Sequence, residues 1–240
     1  MKRDLIYAAV LWIVVTVLGE WALANLDYFP LRAAVEAHIV DEAFHLLMVL
    51  GLPVLTFVVV GMVYAILRFR ADDDAADGPP IFTHNGLTWG WFVVTSALAI
   101  YVIVDPGITG LRKLTANQQQ DLVVQVEATQ WQWSYAYPQY DVILEDADEL
   151  VLPVDRRVKF EITATDVIHS FWVPAFRMKL DAVPGQTNVM YVTPDKVVSF
   201  EDDPGVRVQC AELCGTGHPR MRTGLRVVTV EEFEAWIEGQ

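Results

Sequence analysis

Three long apolar runs fill most of the first 104 residues: Leu5–Ala24, broken only by Thr16, Gly19 and Glu20, then Phe44–Leu67, then Leu87–Val104. They hold 20, 24 and 18 residues. At a helical rise of about 1.5 Å per residue each spans roughly the 30 Å of a bilayer's hydrocarbon layer. A single such run would also suit a helix in a soluble core; three in close succession predict a membrane anchor. From Leu122 the apolar period shortens to two. Leu122, Val124 and Val126 alternate with polar residues, as do Val158, Phe160 and Ile162, and Val206, Val208 and Cys210. Similar short runs at Leu150–Pro153, Thr187–Thr193, Val197–Phe200 and Arg222–Val230 are separated by Pro, Gly and Asp. This spacing predicts an all-β sandwich or barrel with antiparallel strands. Val230–Gly239 reads as a short terminal helix.

Charge adds orientation. Lys2 and Arg3 precede the first run, and Arg68 and Arg70 follow the second. If all three runs span, both pairs fall on one side, which the positive-inside rule makes cytoplasmic. Residues after 105 then lie outside, although Arg112 and Lys113 vote the other way. The first run has a second reading: Lys2-Arg3, the stretch to Leu18 and Ala22-Leu23-Ala24 also fit a signal peptide. The expected organisation is an N-terminal segment over 1–25, retained as a helix or cleaved, a two-helix anchor over 26–110 and an extracytoplasmic β domain over 115–240. Ala71–Pro80, rich in Asp, reads as a solvated connector. Residues 121–240 carry 20 acidic and 10 Lys/Arg side chains, a net −10 of the chain's −14. Such a surface excludes nucleic acid as a partner and favours a basic one.

The densest chemistry is Cys210-Ala-Glu-Leu-Cys-Gly-Thr-Gly-His-Pro-Arg-Met221. Thiols at Cys210 and Cys214, the imidazole of His218 and the thioether of Met221 form a soft donor set suited to copper. Zinc would want four strong N/S ligands, and no second C-x-x-C or H-x-x-x-H supplies them. A mononuclear copper site needs one cysteine, so the second implies either a disulfide or a second metal. His169, alone, would read as a core histidine; beside this motif it becomes a second imidazole, one for each of two coppers. His38, His45 and His84 lie in or near the apolar runs and are assigned no metal.

Four motifs carry a resemblance to subunit II of cytochrome c oxidase, extending from about Phe44 to Val230. They are C-x-E-x-C-G-x-x-H-x-x-M at Cys210–Met221, D-V-x-H-S-F-W-V-P at Asp166–Pro174, Q-W-x-W-S-Y at Gln130–Tyr135 and K-x-D-A-x-P-G at Lys179–Gly185. The resemblance implies a cupredoxin-like Greek-key fold and a dinuclear copper centre bridged by Cys210 and Cys214. His169 and His218 would each bind one copper, with Met221 and the Glu212 carbonyl as weak axial ligands. The Glu212 side chain would help hold a magnesium or manganese ion shared with subunit I. Trp131 resembles the tryptophan through which electrons enter, whereas Trp133 and Tyr135 fit strand core. The implied role is to take electrons singly from a soluble carrier, cytochrome c or a small blue copper protein. They would pass to haem in subunit I, where oxygen is reduced to water with proton pumping, in the cell membrane of a prokaryote.

Two departures stand out. The family often has a glutamate five residues after the histidine of the H-N pair opening the last span, near a proton channel; here His84-Asn85 is followed by Trp89 at that spacing. The N-terminal run is additional to the usual two spans. Two alternatives compete with the oxidase reading: a quinol-oxidase-type subunit that has lost its copper, against which the six ligand positions argue, and an anchored dinuclear-copper domain serving another reductase.

Overall fold

The computed structural model describes residues 2–70, 84–116 and 119–240, so the Ala71–Pro80 connector lies outside the described residues. The chain divides into two compact units, Met1–Tyr28 with Glu42–Leu111, and Phe29–Asp41 with Arg112–Gln240.

In the first unit the apolar runs form helices α1 (Lys2–Asn25), α2 (Val35–Arg68) and α3 (Asn85–Val102). Each belongs to a helix long and apolar enough to cross a membrane. α1 and α2 are joined along one seam. The Trp12 indole N–H donates to the Pro53 carbonyl at 2.8 Å, the Thr16 and Thr56 hydroxyls meet at 2.7 Å, and Arg68 Nε reaches Asp4 at 2.9 Å. A Cβ on Gly19 would come within 2.6 Å of Leu52 Cδ2, so glycine permits the close approach there. Small and hydroxyl-bearing residues are what helices use to associate in lipid, where apolar surface gives no drive. α3 opens on His84, whose Nδ1 accepts from the Leu87 amide at 3.1 Å. Its helical path breaks at Asp105 (φ −136°, ψ 116°), because the residue before a proline, here Pro106, is pushed out of the α region. The chain resumes as α4 (Thr109–Thr115).

The second unit is a two-sheet sandwich. One sheet orders β3 (Val142–Leu144), β2 (Gln132–Tyr137), β1 (Leu122–Thr129), β5 (Val158–Ala164) and β8 (Asn188–Val192). The other orders β4 (Glu149–Pro153), β11 (Arg222–Val228), β10 (Arg207–Cys210), β6 (His169–Val173) and β7 (Met178–Ala182), with β9 (Val198–Ser199) on β11. β1 runs parallel to β5, with Leu122 opposite Val158, and β4 runs parallel to β11, with Leu150 opposite Leu225. The sheets are therefore mixed, which corrects the expectation of purely antiparallel strands. Alternation reports which face of a strand is buried and says nothing about the direction of its neighbour. The fold is the expected three apolar helices followed by a cupredoxin-like sandwich.

Alternating residues of both sheets fill the core: Trp133 and Tyr135 from β2, Phe160 and Ile162 from β5, Phe171 from β6, Leu150 and Leu152 from β4. Two buried tyrosine hydroxyls are paired, Tyr135 with Thr223 at 2.7 Å and Tyr137 with the Val151 carbonyl at 2.9 Å. Helix α5 (Val230–Glu238) starts with a Thr229–Glu232 capping box and buries Phe233 and Ile237, with Trp236 edge-on to Tyr137. Such a box satisfies two otherwise unpaired N–H groups.

Residues 29–41, placed with the anchor on sequence grounds, pack in this unit. Ala33, Ala34 and Ala37 are fully buried, and Val35 N–H donates to the Thr193 carbonyl at 3.0 Å. Glu36 is held by Arg157 at 2.7 Å and by the Thr193 amide at 2.9 Å. Arg177 commits five donor contacts: two to Asp41 at 2.8 and 3.1 Å, and the rest to the carbonyls of Pro30, Leu31 and Pro174. Buried carboxylates need such partners, since an uncompensated charge away from water is costly.

Candidate metal centre

The site lies at one end of the second sheet. Cys210 closes β10 and sits opposite Phe171 of β6, so His169, two residues before Phe171, shares its face of the sheet. The chain then leaves the sheet for a loop from Ala211 to Arg220 and returns at Met221, whose carbonyl accepts from Cys210 N–H at 3.0 Å. Ten residues are thus tied at the base like a long hairpin. Gly215 takes φ +115°, a conformation that L side chains rarely adopt, and turns Cys214 back towards Cys210.

The donor atoms converge. The two thiols are free and 3.7 Å apart, well beyond the roughly 2.05 Å of a disulfide. His169 Nδ1 lies 3.9 Å from Cys210 Sγ, and His218 Nδ1 lies 3.7 Å from Cys214 Sγ. Met221 Sδ is 3.1 Å from His169 Nδ1 and 3.8 Å from Cys214 Sγ. Cys210 Sγ also approaches the Glu212 carbonyl at 3.2 Å. The ligand atoms of His169, Cys210 and Cys214 all fall within 4.8 Å of one another, and these three residues are buried. The Glu212 side chain points outward and is exposed.

A donor set of two thiols, two imidazoles and a thioether matches copper chemistry. Burial, followed by the neighbouring Cys210, pushes the Cys214 thiol up to about 12. That thiol gives up its proton only where a cation compensates the charge, which a bound metal ion would do. The residues present therefore fit the metal that the sequence implied.

A surrounding layer holds the imidazoles. His169 Nε2 lies 2.9 Å from Asp166, which turns Nδ1 towards the thiols. Burial alone would raise the Asp166 carboxyl, but bonds from His169 and from the Gln130 and Val167 amides outweigh it and hold it below the usual carboxylate range. Trp133, fully buried, sets its ring edge-on to His169 at 6.3 Å and to Phe171 at 5.7 Å.

Trp131 behaves differently from its neighbours in the aromatic ribbon. It is 40% exposed, whereas Trp133 and Tyr135 are buried. Its indole N–H donates to the Cys214 carbonyl at 3.2 Å, and Gln130 Nε2 donates to the same oxygen at 2.7 Å. The ring lies against the loop so closely that a Cβ on Gly217 would fall 2.2 Å from Trp131 Cδ2.

The structure brings together His169, Cys210, Cys214, His218, Met221 and the Glu212 carbonyl, and places Trp131 against the loop that carries Cys214. Sequence reasoning missed Asp166 and Gln130 as supports. Their signal was present, since each stands in a motif with the residue it supports, Asp166 three before His169 and Gln130 beside Trp131. The other histidines are engaged elsewhere: His38 Nε2 lies 2.9 Å from Asp195, His45 contacts the Tyr28 hydroxyl and His84 caps α3.

Residues 142–228 match a family model described as cytochrome c oxidase subunit II, periplasmic domain. The probable cytochrome c oxidase subunit 2 of Rickettsia prowazekii is 32% identical over 221 residues, covering 83% of this chain and 68% of that protein. Cytochrome c oxidase subunit 2 of a Synechocystis species is 29% identical over 276 residues, covering 94% and 79%. Among solved structures, the periplasmic domain of cytochrome oxidase subunit II from Bradyrhizobium japonicum shows 35% identity over 50% of this chain and 94% of that one, at a TM-score of 0.45. The chain belongs to the cytochrome c oxidase subunit II family, as a membrane-embedded subunit of a haem–copper oxidase whose family implies copper.

Proposed function

We propose that this subunit is the point at which electrons are taken up by the oxidase. His169, Cys210, Cys214, His218, Met221 and the Glu212 carbonyl would hold two copper ions, and Trp131 would give electrons from a soluble carrier a path to the loop that carries Cys214. When bound, a copper pair would supply a one-electron store. The chain's own residues do the rest. Cys210 and Cys214 set two thiols side by side, each near one imidazole; Asp166 fixes the orientation of His169; and the buried sandwich keeps the donor atoms in place. Trp131 offers an exposed π face to the carrier and an N–H bond to the carbonyl of a bridging cysteine. The carrier is cytochrome c or a small blue copper protein. Electrons continue to haem in subunit I, where oxygen is reduced to water with proton pumping. The outward-facing Glu212 carboxylate contributes to a magnesium or manganese ion shared with that subunit. The β unit lies on the extracytoplasmic side of a prokaryotic cell membrane, in line with Lys2, Arg3, Arg68 and Arg70 on the other.

One observation carries the reading: two free thiols 3.7 Å apart, each flanked within 3.9 Å by a different histidine Nδ1. The purified chain should bind two coppers, and its EPR spectrum should show hyperfine splitting from two equivalent nuclei. One copper per chain, or a native Cys210–Cys214 disulfide, would refute it. Trp131→Phe should slow electron uptake from the carrier and leave that spectrum unchanged; an unaltered stopped-flow rate would remove Trp131 from the path.

A further inference from the structure

Residue 130 touches both chain segments that bear metal-site ligands. Its backbone N–H donates to Asp166 Oδ2 at 2.7 Å, and the other oxygen of that carboxylate lies 2.9 Å from His169 Nε2. Its side-chain amide donates to the Cys214 carbonyl at 2.7 Å, the same oxygen that accepts the Trp131 indole N–H at 3.2 Å. A carbonyl oxygen has two lone pairs, so it can serve both donors. The approach is close on the loop side as well. A Cβ on Gly215 would stand 3.0 Å from Gln130 Nε2 and 3.3 Å from Trp131 Cζ2. Gln130 and the indole therefore form one clamp on the loop that carries Cys214, and the backbone of Gln130 anchors the clamp to the His169 segment.

We infer that Gln130 is a positioning residue for electron uptake: it locks the Cys214 loop against the Trp131 indole, so that the aromatic path and the metal-binding thiol keep one fixed separation. The inference rests on reading Trp131 as the residue through which electrons enter. The polar contacts of Gln130 go to Asp166 and to the Cys214 carbonyl, and to none of the side-chain donor atoms of the candidate centre. Its shorter bond to the carbonyl carries the loop's attachment, and the longer indole bond depends on it. Without the amide, the loop is held at this point by the longer indole bond alone. The ligand atoms remain gathered, because Cys210, Met221 and His169 are fixed by the sheet and by Asp166 rather than by Gln130's side chain.

The test uses the full chain assembled in its oxidase. Gln130→Met keeps the stem length and removes the donor. Hydrogen–deuterium exchange of the copper-stripped variant should speed up in residues 211–217 by about five- to tenfold, as expected for one lost hydrogen bond. In the copper-loaded form, the two-copper EPR signature should persist while electron uptake from purified cytochrome c, the probe, slows by a similar factor. On a Trp131→Phe background, Gln130→Met should slow uptake no further, because both act on one contact. Gln130→Asn, which keeps the amide on a shorter stem, gives a second variant with the same pattern expected. Unchanged loop exchange, or slowing that adds fully to that of Trp131→Phe, would overturn the inference. If Trp131→Phe alone leaves uptake unchanged, the path through Trp131 fails, while the exchange measurement still decides whether Gln130 holds the loop.

Discussion

The two units use the same apolar residue types in opposite ways. In the membrane unit Leu87, Trp89, Trp91 and Phe92 of α3 stand exposed, and no residue of that helix is buried. In the β unit Phe160, Ile162, Phe171 and Leu225 are fully enclosed. Lipid can take the place of a core around an apolar helix, whereas a sheet in water must bury its apolar face against a second layer. Polar groups follow the same division. The polar contacts that join α1 to α2 run along a single seam, while the β unit buries whole carboxylates and matches them with guanidinium groups. A centre whose donor atoms must stay within a few ångströms is built where packing and pairing restrain every side.

This contrast can be broken at several points. The largest effect is expected at Arg177. Replacing it with Ala strips Asp41, whose side chain is 4% exposed, of both its short guanidinium contacts and leaves only Arg32 Nε, 3.9 Å away, as an opposite charge. Stability of the β unit should fall by about 3–5 kcal/mol. Near-UV circular dichroism of the full chain in detergent during urea titration measures it, and the helical far-UV signal should persist to higher urea. A loss below about 1 kcal/mol would show that residues 29–41 are dispensable to the sandwich.

Gly217→Ala comes next. The added carbon would stand 2.2 Å from Trp131 Cδ2, so the indole must move off the loop. Forced overpacking of this kind costs about 1–3 kcal/mol, and electron uptake should slow as it does for Trp131→Phe. Wild-type kinetics in this variant would mean that the indole need not lie against the loop.

The smallest effect belongs to the membrane seam. Thr16→Val and Thr56→Val each remove the hydroxyl pair that joins α1 to α2 at 2.7 Å. Their coupling in a double-mutant cycle should be about 0.6 kcal/mol and no more than about 1.7. Because Trp12, Thr16 and Asp4 all bond to α2, we also expect α1 to be retained as a third span. Intact-mass measurement of the purified chain should include residues 1–25; a mature terminus just after Ala24 would identify the segment as a cleaved leader instead.

Much of the site was legible in the chain because its ligands are close in sequence. Cys210, Cys214, His218 and Met221 fall within twelve residues, and two glycines announce that the loop turns on itself. The exposed Trp131 could be told from Trp133 only through resemblance, since alternation in the aromatic ribbon places both on the same face. The parallel pairs β1–β5 and β4–β11 were not legible, because each strand's pattern records its own burial alone. Nor was the place of residues 29–41: Glu36 finds Arg157 across 121 positions and Asp41 finds Arg177 across 136.

By itself, then, the sequence determined what depends on local periodicity and local chemistry: three apolar helices, a strand-rich second half, and a soft donor cluster that asks for copper. Tertiary structure alone decided which strands lie side by side, that the segment between the first two helices completes the sandwich, and that Gln130 and Trp131 share the carbonyl of a metal-binding cysteine. These outcomes join residues far apart in the chain, and the free energy of such contacts depends on burial and geometry that no local window of sequence contains.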